Sequence, residues 1–216
     1  MKTRDRILMV SLALFNRDGE PNVTTVDISH ELDISPGNLY YHFKGKDELV
    51  NELFERFYEQ MNLILRAPQK QTLATEDYWF YLIVLFEQIY DYRFLYRNIS
   101  LISQRYEHIK RPLHRLLKLT IDSCSTVCQQ MHTAGLLNTR QEQIGLLANS
   151  MALTITYWFN FDNLVTERTD DDYGMIRDGV RQVMSLITPY LGDLGDSFLD
   201  AINTLYIKQV HDEHHR

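Results

Sequence analysis

The segment spanning residues 24–46, TTVDISHELDISPGNLYYHFKGK, limits what this chain can fold into more than any other. Thr24 can cap a helix, and Asp27 stands three residues later, where a capping box has its reciprocal acceptor. A second helix can begin after Ser35, which is a favourable N-cap residue, with Pro36 at its first position. The segment therefore predicts two short helices joined by a tight turn.

The predicted second helix, residues 36–43, divides into an apolar face and a polar, aromatic face. Leu39 and Phe43 lie one helical turn apart and are expected to face inward. Ile28 and Leu32 of the preceding helix have the same spacing, so these four side chains can build a small core. The helix is thus expected to be held from one side only.

The outward face of this helix carries groups suited to a DNA groove. Gly37 lets the backbone approach a partner closely, and Asn38 can form two hydrogen bonds with an adenine edge. Tyr40 and Tyr41 can donate hydrogen bonds to phosphates. The alternative is that both tyrosines pack on neighbouring helices.

Two further helices flank this pair. Residues 5–17 form an amphipathic pattern that Gly19 can end. A longer pattern starts at Lys46, and its apolar side chains repeat every four residues at Leu49, Leu53, Phe57, Met61 and Leu65. We expect a helix of about 18 residues, some 27 Å long, that links the N-terminal unit to the rest of the chain. Its first turn, with free amide groups beside Lys46, is also suited to a phosphate.

Residues 4–65 resemble the DNA-binding domain of the TetR (tetracycline-repressor-like) family of bacterial transcriptional regulators. The resemblance rests on DRILMVSLALFNRDG, on T-x-x-D-I beginning at Thr24, and on S-x-G-x-L-Y-x-H-F-x-x-K-D-E-L from Ser35 to Leu49. The spacing is uninterrupted across three helices. The sequence departs from the family pattern at Asp33, where glycine is usual, and at Ser29, where alanine is usual. Asp33 is compatible with the pattern because aspartate tolerates a left-handed backbone better than most residues.

The resemblance implies a set of DNA contacts. The implied residues are Thr24, Thr25, Ser35, Gly37, Asn38, Tyr40, Tyr41, His42 and Lys46. Of these, Tyr40, His42 and Lys46 would contact phosphates, together with a threonine at the head of the first helix of the pair. Gly37 and Asn38 would lie nearest the bases, with Tyr41 close by.

Charge restricts where DNA could bind. The net charge is −7, and the first 50 residues hold six Lys and Arg against eight Asp and Glu. However, the run 34–46 contains two lysines and no acid, and Lys2, Arg4 and Arg6 cluster at the start. A DNA partner would therefore bind a local patch on an otherwise acidic protein.

The composition predicts an all-α protein of nine or ten helices. Hydrophobic residues make up 44% of the 216-residue chain and charged residues 24%, which is typical of a globular protein. The β-branched residues are scattered, and no apolar run approaches the roughly 18 residues of a membrane span. The N-terminus runs into a helical pattern without a cleavage region, so we expect no signal peptide. We expect a cytoplasmic protein.

We expect two domains, a helix-turn-helix DNA-binding domain at 1–48 and a helical domain at 49–216. The stretch 67–73 (APQKQTL) is the linker-like segment nearest the first domain. Later helices are predicted from Glu76 to Tyr90, from Pro112 to a stop at Gly135, from a capping box of Thr139 and Glu142 to Val165, from Ile176 to Leu191 and from Leu194 to Val210. The segment DYRFLYRN and the helices after it resemble the C-terminal domain of one TetR subgroup.

That resemblance implies a domain that dimerises through its last long helices and encloses a cavity for a small effector. The second domain is rich in aromatic side chains, and ligand pockets are mostly apolar and aromatic. The predicted pocket residues are Trp79, Phe86, Phe94, Tyr106, Trp158 and Phe159. An apolar or aromatic effector follows from this composition, whereas ordinary core packing is the alternative for each side chain.

Other patterns are weaker. Cys124 and Cys128 lie one helical turn apart and could form a metal or redox pair, but small buried thiols are the simpler interpretation. His211, His214 and His215 could chelate a metal, but a polar tail is the simpler interpretation. The sequence contains no pattern of catalytic residues and no phosphate-binding glycine loop, so we expect neither an enzyme nor a cofactor.

The main hypothesis is a homodimeric, effector-responsive transcriptional regulator, most simply a repressor, that binds a near-palindromic operator in double-stranded DNA. A second hypothesis is a helix-turn-helix regulator whose C-terminal domain binds a protein partner instead of a small molecule. A third is an all-α enzyme with a vestigial N-terminal unit, which the absence of a catalytic pattern disfavours.

Overall fold

The structure is a computed structural model that describes residues 2–71, 77–166 and 172–192. Within these ranges it contains ten α-helices and no strand, so the predicted all-α fold is confirmed. The helices are α1 Thr3–Asp18, α2 Thr25–Glu31, α3 Pro36–His42, α4 Lys46–Lys70, α5 Asp77–Asp91, α6 Arg93–Arg97, α7 Ile99–Arg105, α8 Glu107–Thr133, α9 Gln141–Val165 and α10 Asp172–Ile187. Short 3₁₀ turns lie at Glu20–Asn22 and Thr188–Tyr190.

The first three helices enclose the small core that the sequence predicts. Ile28, Leu32, Leu39 and Phe43 are all buried. Gly19 ends α1 with a φ of 83° and donates its N–H to the carbonyl of Phe15. This positive φ is a conformation that glycine adopts at little cost.

Helix α4 is longer than predicted. It runs for 25 residues to Lys70, so residues 67–70 of the predicted linker are helical. Pro68 lies inside the helix, where it removes only one backbone hydrogen bond near the C-terminal end. Pro68 is buried, and its carbonyl accepts a hydrogen bond from Gln130 of α8 at 2.7 Å. Packing against α8 thus extends the helix beyond its local sequence signal.

Helix α8 begins earlier than the predicted start at Pro112. It starts at Glu107, and Pro112 lies in its second turn. The predicted end is confirmed, since Gly135 follows the helix with a φ of 74°. Helix α9 starts one residue later than a Thr139 cap implies: Arg140 is the N-cap, and its backbone N–H donates to the side chain of Gln143.

The C-terminal domain is a bundle in which α8 lies between α4 and α9, and α10 packs on α5 and α9. The apolar row of α4, from Leu49 to Leu65, is buried along its whole length. None of the helices in the described ranges is long and apolar enough to cross a membrane. The predicted helix 194–210 and the three C-terminal histidines lie outside the described residues.

The two cysteines pack inside this bundle. Both thiols are buried, and Cys128 Sγ lies 3.5 Å from Met151 Sδ on α9. Burial raises the pKa of both Cys124 and Cys128 to about 12, so the thiols stay protonated at neutral pH. In the part of the chain that the structure describes, no group of three or more His, Cys, Asp or Glu side chains could hold a metal. The contacts of the pair are those of core residues.

Candidate nucleic-acid interface

The turn between α2 and α3 has the geometry that the sequence predicts. The backbone N–H of Thr24 donates to Asp27 Oδ2 at 2.8 Å, and Asp27 N–H donates to Thr24 Oγ1 at 3.2 Å. The Thr24 hydroxyl also donates to Asp27 Oδ2, at 2.7 Å. This bond, together with the one from the Thr24 backbone N–H, lowers the pKa of the Asp27 carboxyl, so the cap is anionic at neutral pH. Asp33 has a φ of 54°, which is the left-handed backbone expected of it. The predicted capping box and turn are confirmed.

Helix α3 is held by its inner face and open on its outer face. Leu39 and Phe43 are 2% and 0% exposed, whereas Tyr40 and Tyr41 are 58% and 79% exposed. Asn38 is exposed as well. The alternative that the two tyrosines pack on neighbouring helices is therefore wrong.

The N-terminus of α3 supplies the rest of this surface. Ser35 Oγ accepts a hydrogen bond from the backbone N–H of Asn38 at 3.2 Å, which fixes the first turn. Gly37 is exposed and has no side chain, so a partner can approach the backbone closely there. We call the exposed surface formed by Gly37, Asn38, Tyr40 and Tyr41 the reading face. It offers an amide, two phenols and close access to the backbone.

The residues predicted to flank the reading face differ in accessibility. Thr24 is exposed, although its hydroxyl is engaged in the capping box with Asp27. Thr25 is half-buried at the head of α2. His42 is also half-buried, and its ring meets the ring of Tyr41 edge-on, with centroids 5.2 Å apart. His42 is the last residue of α3, and the two threonines lie at the start of α2.

Lys46 has a different environment from the one its predicted phosphate contact suggests. Its ammonium donates to the backbone carbonyls of Glu20 and Val23, both at 2.9 Å. It also forms a 2.9 Å ion pair with the Glu20 carboxylate, and its side chain is only 15% exposed. The Lys46 side chain is thus engaged within the protein, and its contact with DNA stays a prediction.

Lys44, which follows α3, is an exposed cation that the sequence analysis did not include among the DNA contacts. Its ammonium lies 5.0 Å from the centre of the Tyr40 ring and 3.4 Å from the Tyr40 carbonyl. Both lysines occur in the same acid-free run, so the sequence contained the candidate. What it did not show was that Lys46 turns inward and Lys44 outward.

The basic residues at the N-terminus are only partly available. Arg4 forms ion pairs with Glu48 and Glu52 of α4, and its guanidinium lies 4.4 Å from the centre of the Phe43 ring. Lys2 and Arg6 are exposed. Arg4 therefore connects α1 to α4 through ion pairs. Lys2 and Arg6 remain accessible positive charges.

The six predicted pocket residues fall into two groups. Phe86 and Phe159 are fully buried with ring centroids 5.8 Å apart, and Trp158 donates its indole N–H to the carbonyl of Met175 on α10. Trp79 is buried on α5, two turns before Phe86. These four lie on the helices α5 and α9, both of which pack on α10.

The other two predicted pocket residues contact the N-terminal unit instead. The Phe94 ring lies 5.4 Å from that of Phe15 in α1. The Tyr106 hydroxyl donates to Glu20 Oε1 at 2.6 Å. These contacts place Phe94 and Tyr106 at the junction between the two parts of the chain, and their assignment to an effector pocket stays a prediction. No sequence pattern connects positions 20 and 106.

Two family profiles match the chain. The profile described as bacterial regulatory proteins, tetR family, matches residues 7–53. The profile described as TetR, bacterial transcriptional repressor, matches residues 56–197. Together they cover both the helix-turn-helix segment and most of the helical domain.

Individual relatives are also regulators. YttP of Bacillus subtilis, a probable HTH-type transcriptional regulator, is 27% identical over 111 residues, which are 48% of this chain and 53% of the relative. IcaR of Staphylococcus aureus, the negative transcriptional regulator of the biofilm operon icaADBC, is 27% identical over 88 residues, 41% of this chain and 46% of the relative. The chain thus matches about half the length of these curated relatives.

A solved structure matches nearly the whole chain. The crystal structure of a TetR-family transcriptional regulator from Marinobacter aquaeolei VT8 superimposes with a TM-score of 0.83 at 29% sequence identity. The match covers 94% of this chain and 98% of that one. The similarity therefore extends over both domains.

Proposed function

This chain belongs to the TetR family of bacterial transcriptional regulators, and we propose that it is a homodimeric repressor that inserts α3 of each copy into operator DNA. The reading face carries this proposal, because it is exposed on a capped helix that Leu39 and Phe43 anchor from the other side. Two such helices would enter major grooves about 34–36 Å apart on a near-palindromic site. The relation to IcaR, a negative regulator, supports the sign of the regulation.

We assign different contacts to different residues of the interface. Tyr40, His42 and Lys44 hold phosphates through side-chain donors, and a threonine at the head of α2 assists them. Lys46 contributes its backbone N–H at the first position of α4, because its ammonium is engaged elsewhere.

The base contacts belong to the rest of the reading face. Gly37 and Asn38 face the base edges, with Tyr41 beside them. Replacing Asn38 with alanine should alter which sequences the protein selects, since it removes a group that can pair with one base edge. Selection from a random duplex library would show relaxed preference at one position of each half-site. An unchanged preference would contradict the assignment.

The proposal of a dimer rests on helix α9. It has no charged residue between Glu142 and Asp162, and one of its faces is buried in the domain. The opposite face exposes a stripe of large apolar side chains, namely Leu146 at 70%, Leu153 at 62%, Tyr157 at 45%, Phe161 at 58% and Leu164 at 79%. A helix that is apolar all round is normally buried on all sides. A second copy of α9 would cover this stripe.

We assign the effector site to four aromatic side chains on the two helices that pack on α10, namely Trp79 and Phe86 of α5 and Trp158 and Phe159 of α9. They bring the apolar surfaces of α5 and α9 together against α10. An apolar or aromatic effector would separate them and displace α4, which packs on α5 and α8. The effector must bind this displaced state more tightly to release DNA.

Tryptophan fluorescence tests the proposed effector site directly, because we assign both tryptophans of the chain, Trp79 and Trp158, to it. A compound that releases the protein from DNA should also change this fluorescence. Release by such a compound without a change in emission would place the effector elsewhere. Release by a protein, with no response to apolar compounds, would instead support the alternative in which the C-terminal domain binds a protein partner.

A further inference from the structure

A buried carboxylate lies where the DNA-binding domain meets the C-terminal domain. Glu20 stands in the 3₁₀ turn after α1 and is 0% exposed. Its Oε1 atom accepts a 2.6 Å hydrogen bond from the Tyr106 hydroxyl and lies 2.9 Å from Lys46 Nζ and 3.5 Å from an Arg105 guanidinium nitrogen. One oxygen atom therefore receives groups from two separate parts of the chain, the start of α4 and the α7–α8 corner.

These contacts differ in what they connect. Lys46 also binds the carbonyls of Glu20 and Val23, so it secures Glu20 within the DNA-binding domain. Arg105 ends α7, and Tyr106 links α7 to α8. Among the contacts of Glu20, the hydrogen bond from Tyr106 is thus the shortest one that crosses from one domain to the other.

Burial makes the loss of the hydrogen bond between Tyr106 and Glu20 costly. Tyr106 is 2% exposed, and burial, with a further effect of the Glu20 carboxylate, raises the pKa of Tyr106 far above its usual value, so that its hydroxyl keeps the proton it donates. The other carboxylate oxygen, Oε2, is buried and has no hydrogen-bond partner in the described structure. A shift of α8 would therefore leave a buried carboxylate with fewer donors, which is costly in free energy.

A second polar contact lies one turn back along the chain. The Asn16 side chain donates to the carbonyl of Asp91 at 2.8 Å and accepts the N–H of Phe94 at 3.1 Å. Asn16 binds the α5–α6 corner, whereas Glu20 binds the α7–α8 corner. With two separated attachment points, a rotation of the DNA-binding domain about one of them would displace the contact at the other.

We propose that Glu20 and Tyr106 are positioning residues that fix the angle of the DNA-binding domain and thereby the separation of the two α3 helices in the dimer. This inference rests on the proposed function as a dimer on a near-palindromic operator. Because Tyr106 immediately precedes α8, a movement of that helix start would release Glu20 and change the half-site spacing that the protein prefers.

The test is a selection from a random-sequence duplex DNA library with the full-length protein. Tyr106→Phe removes only the hydroxyl that crosses between the domains. Glu20→Gln keeps the shape of the acceptor but removes its charge. This variant tests the same contact if Tyr106→Phe does not fold. Tyr81→Phe is the matched control, because its hydroxyl forms an equally buried 2.7 Å hydrogen bond with Ser123 inside the C-terminal domain.

The measured quantity is the distribution of spacings between half-sites in the selected DNA. Wild type and Tyr81→Phe should share one narrow optimum. Tyr106→Phe should select the same half-sites. The frequency of sites whose spacing differs from the optimum by one base pair should rise about tenfold relative to the optimum, because loss of a hydrogen bond to a charged group has an effect of that order. A merely structural role would lower stability without moving the spacing.

The outcomes are distinguishable. Paired half-sites with an identical spacing distribution in wild type, Tyr106→Phe and Glu20→Gln would overturn the inference alone. The same broadening in Tyr81→Phe would also overturn it, because the effect would then be general. If wild type selects no paired half-sites, the proposed function fails and the inference fails with it.

Discussion

At the scale of single residues, Lys44 and Lys46 show why side-chain direction decides function. They are two residues apart in one acid-free run, yet Lys44 is exposed and Lys46 is engaged with Glu20. The apolar spacing was enough to predict that Leu39 and Phe43 face inward. The direction of Lys46 depends on a carboxylate 26 residues away, which no local pattern reveals.

Replacing Lys44 with alanine should weaken binding to all DNA sequences alike. Each dimer would lose about two phosphate contacts, so the slope of log affinity against log salt concentration should fall by about 2. Fluorescence anisotropy titrations at several salt concentrations measure this slope. Lys70→Ala is the control, because Lys70 is an exposed lysine about 35 Å further along α4. An unchanged slope for Lys44→Ala would exclude the phosphate contact.

Replacing Lys46 with methionine should instead lower the stability of the fold. Removing one partner of a buried ion pair leaves Glu20 poorly compensated, and we expect a loss of about 3 kcal/mol in the free energy of unfolding. Urea denaturation at a fixed protein concentration measures it. Lys44→Ala should change stability by no more than about 0.5 kcal/mol. Equal stability of the two variants would contradict the structural role of Lys46.

At the scale of helices, periodicity predicted most of the described helices, although not α6 and α7, whereas packing determined where the helices begin and end. The capping box at Thr24 and the glycine stops are local signals, and both were correct. The extension of α4 through Pro68 depends on α8, and the early start of α8 places Tyr106 beside Glu20. Such contacts between distant segments are not encoded in any window of the sequence.

The exposed stripe of α9 leads to a prediction about assembly. Leu153→Glu should place a charge at the centre of the proposed dimer contact, where burial without a partner is costly. We expect sedimentation to show monomers at concentrations where wild type is dimeric. Leu63→Glu is a matched control, since Leu63 is 59% exposed on α4. If the Leu153→Glu variant remains a dimer, α9 does not form the dimer interface.

The packing of α10 leads to a prediction about stability. A Cβ atom on Gly179 would lie 2.6 Å from atoms of both Phe86 and Trp158. Gly179→Ala should therefore destabilise the protein by about 1–2 kcal/mol, although alanine is the better helix former. Gly145→Ala, where nothing lies within 4 Å, should be neutral or stabilising by up to about 1 kcal/mol. Urea midpoints that rank the two variants in the opposite order would contradict the packing.

At the scale of the whole molecule, an acidic protein carries a small DNA-reading surface. Because the net charge is −7, affinity for DNA must come from a few hydrogen-bond donors around α3. The proposed base contacts, Gly37, Asn38 and Tyr41, are few, so in the proposed dimer specificity would also depend on the distance between the two copies of the reading face. The sequence was sufficient to predict the reading face. It was not sufficient to predict the Glu20–Tyr106 contact, which we propose as the means of setting that distance.

The most direct test measures binding of the purified protein to DNA from its own promoter region as salt concentration is varied. We predict sequence-selective binding of one dimer to a near-palindromic site, with affinity that falls steeply with salt. A protein with Tyr40→Phe and Lys44→Ala together should lose affinity for that site and for unrelated DNA in the same proportion. Binding that is absent, or that neither depends on salt nor distinguishes the promoter from unrelated DNA, would contradict a DNA-reading repressor.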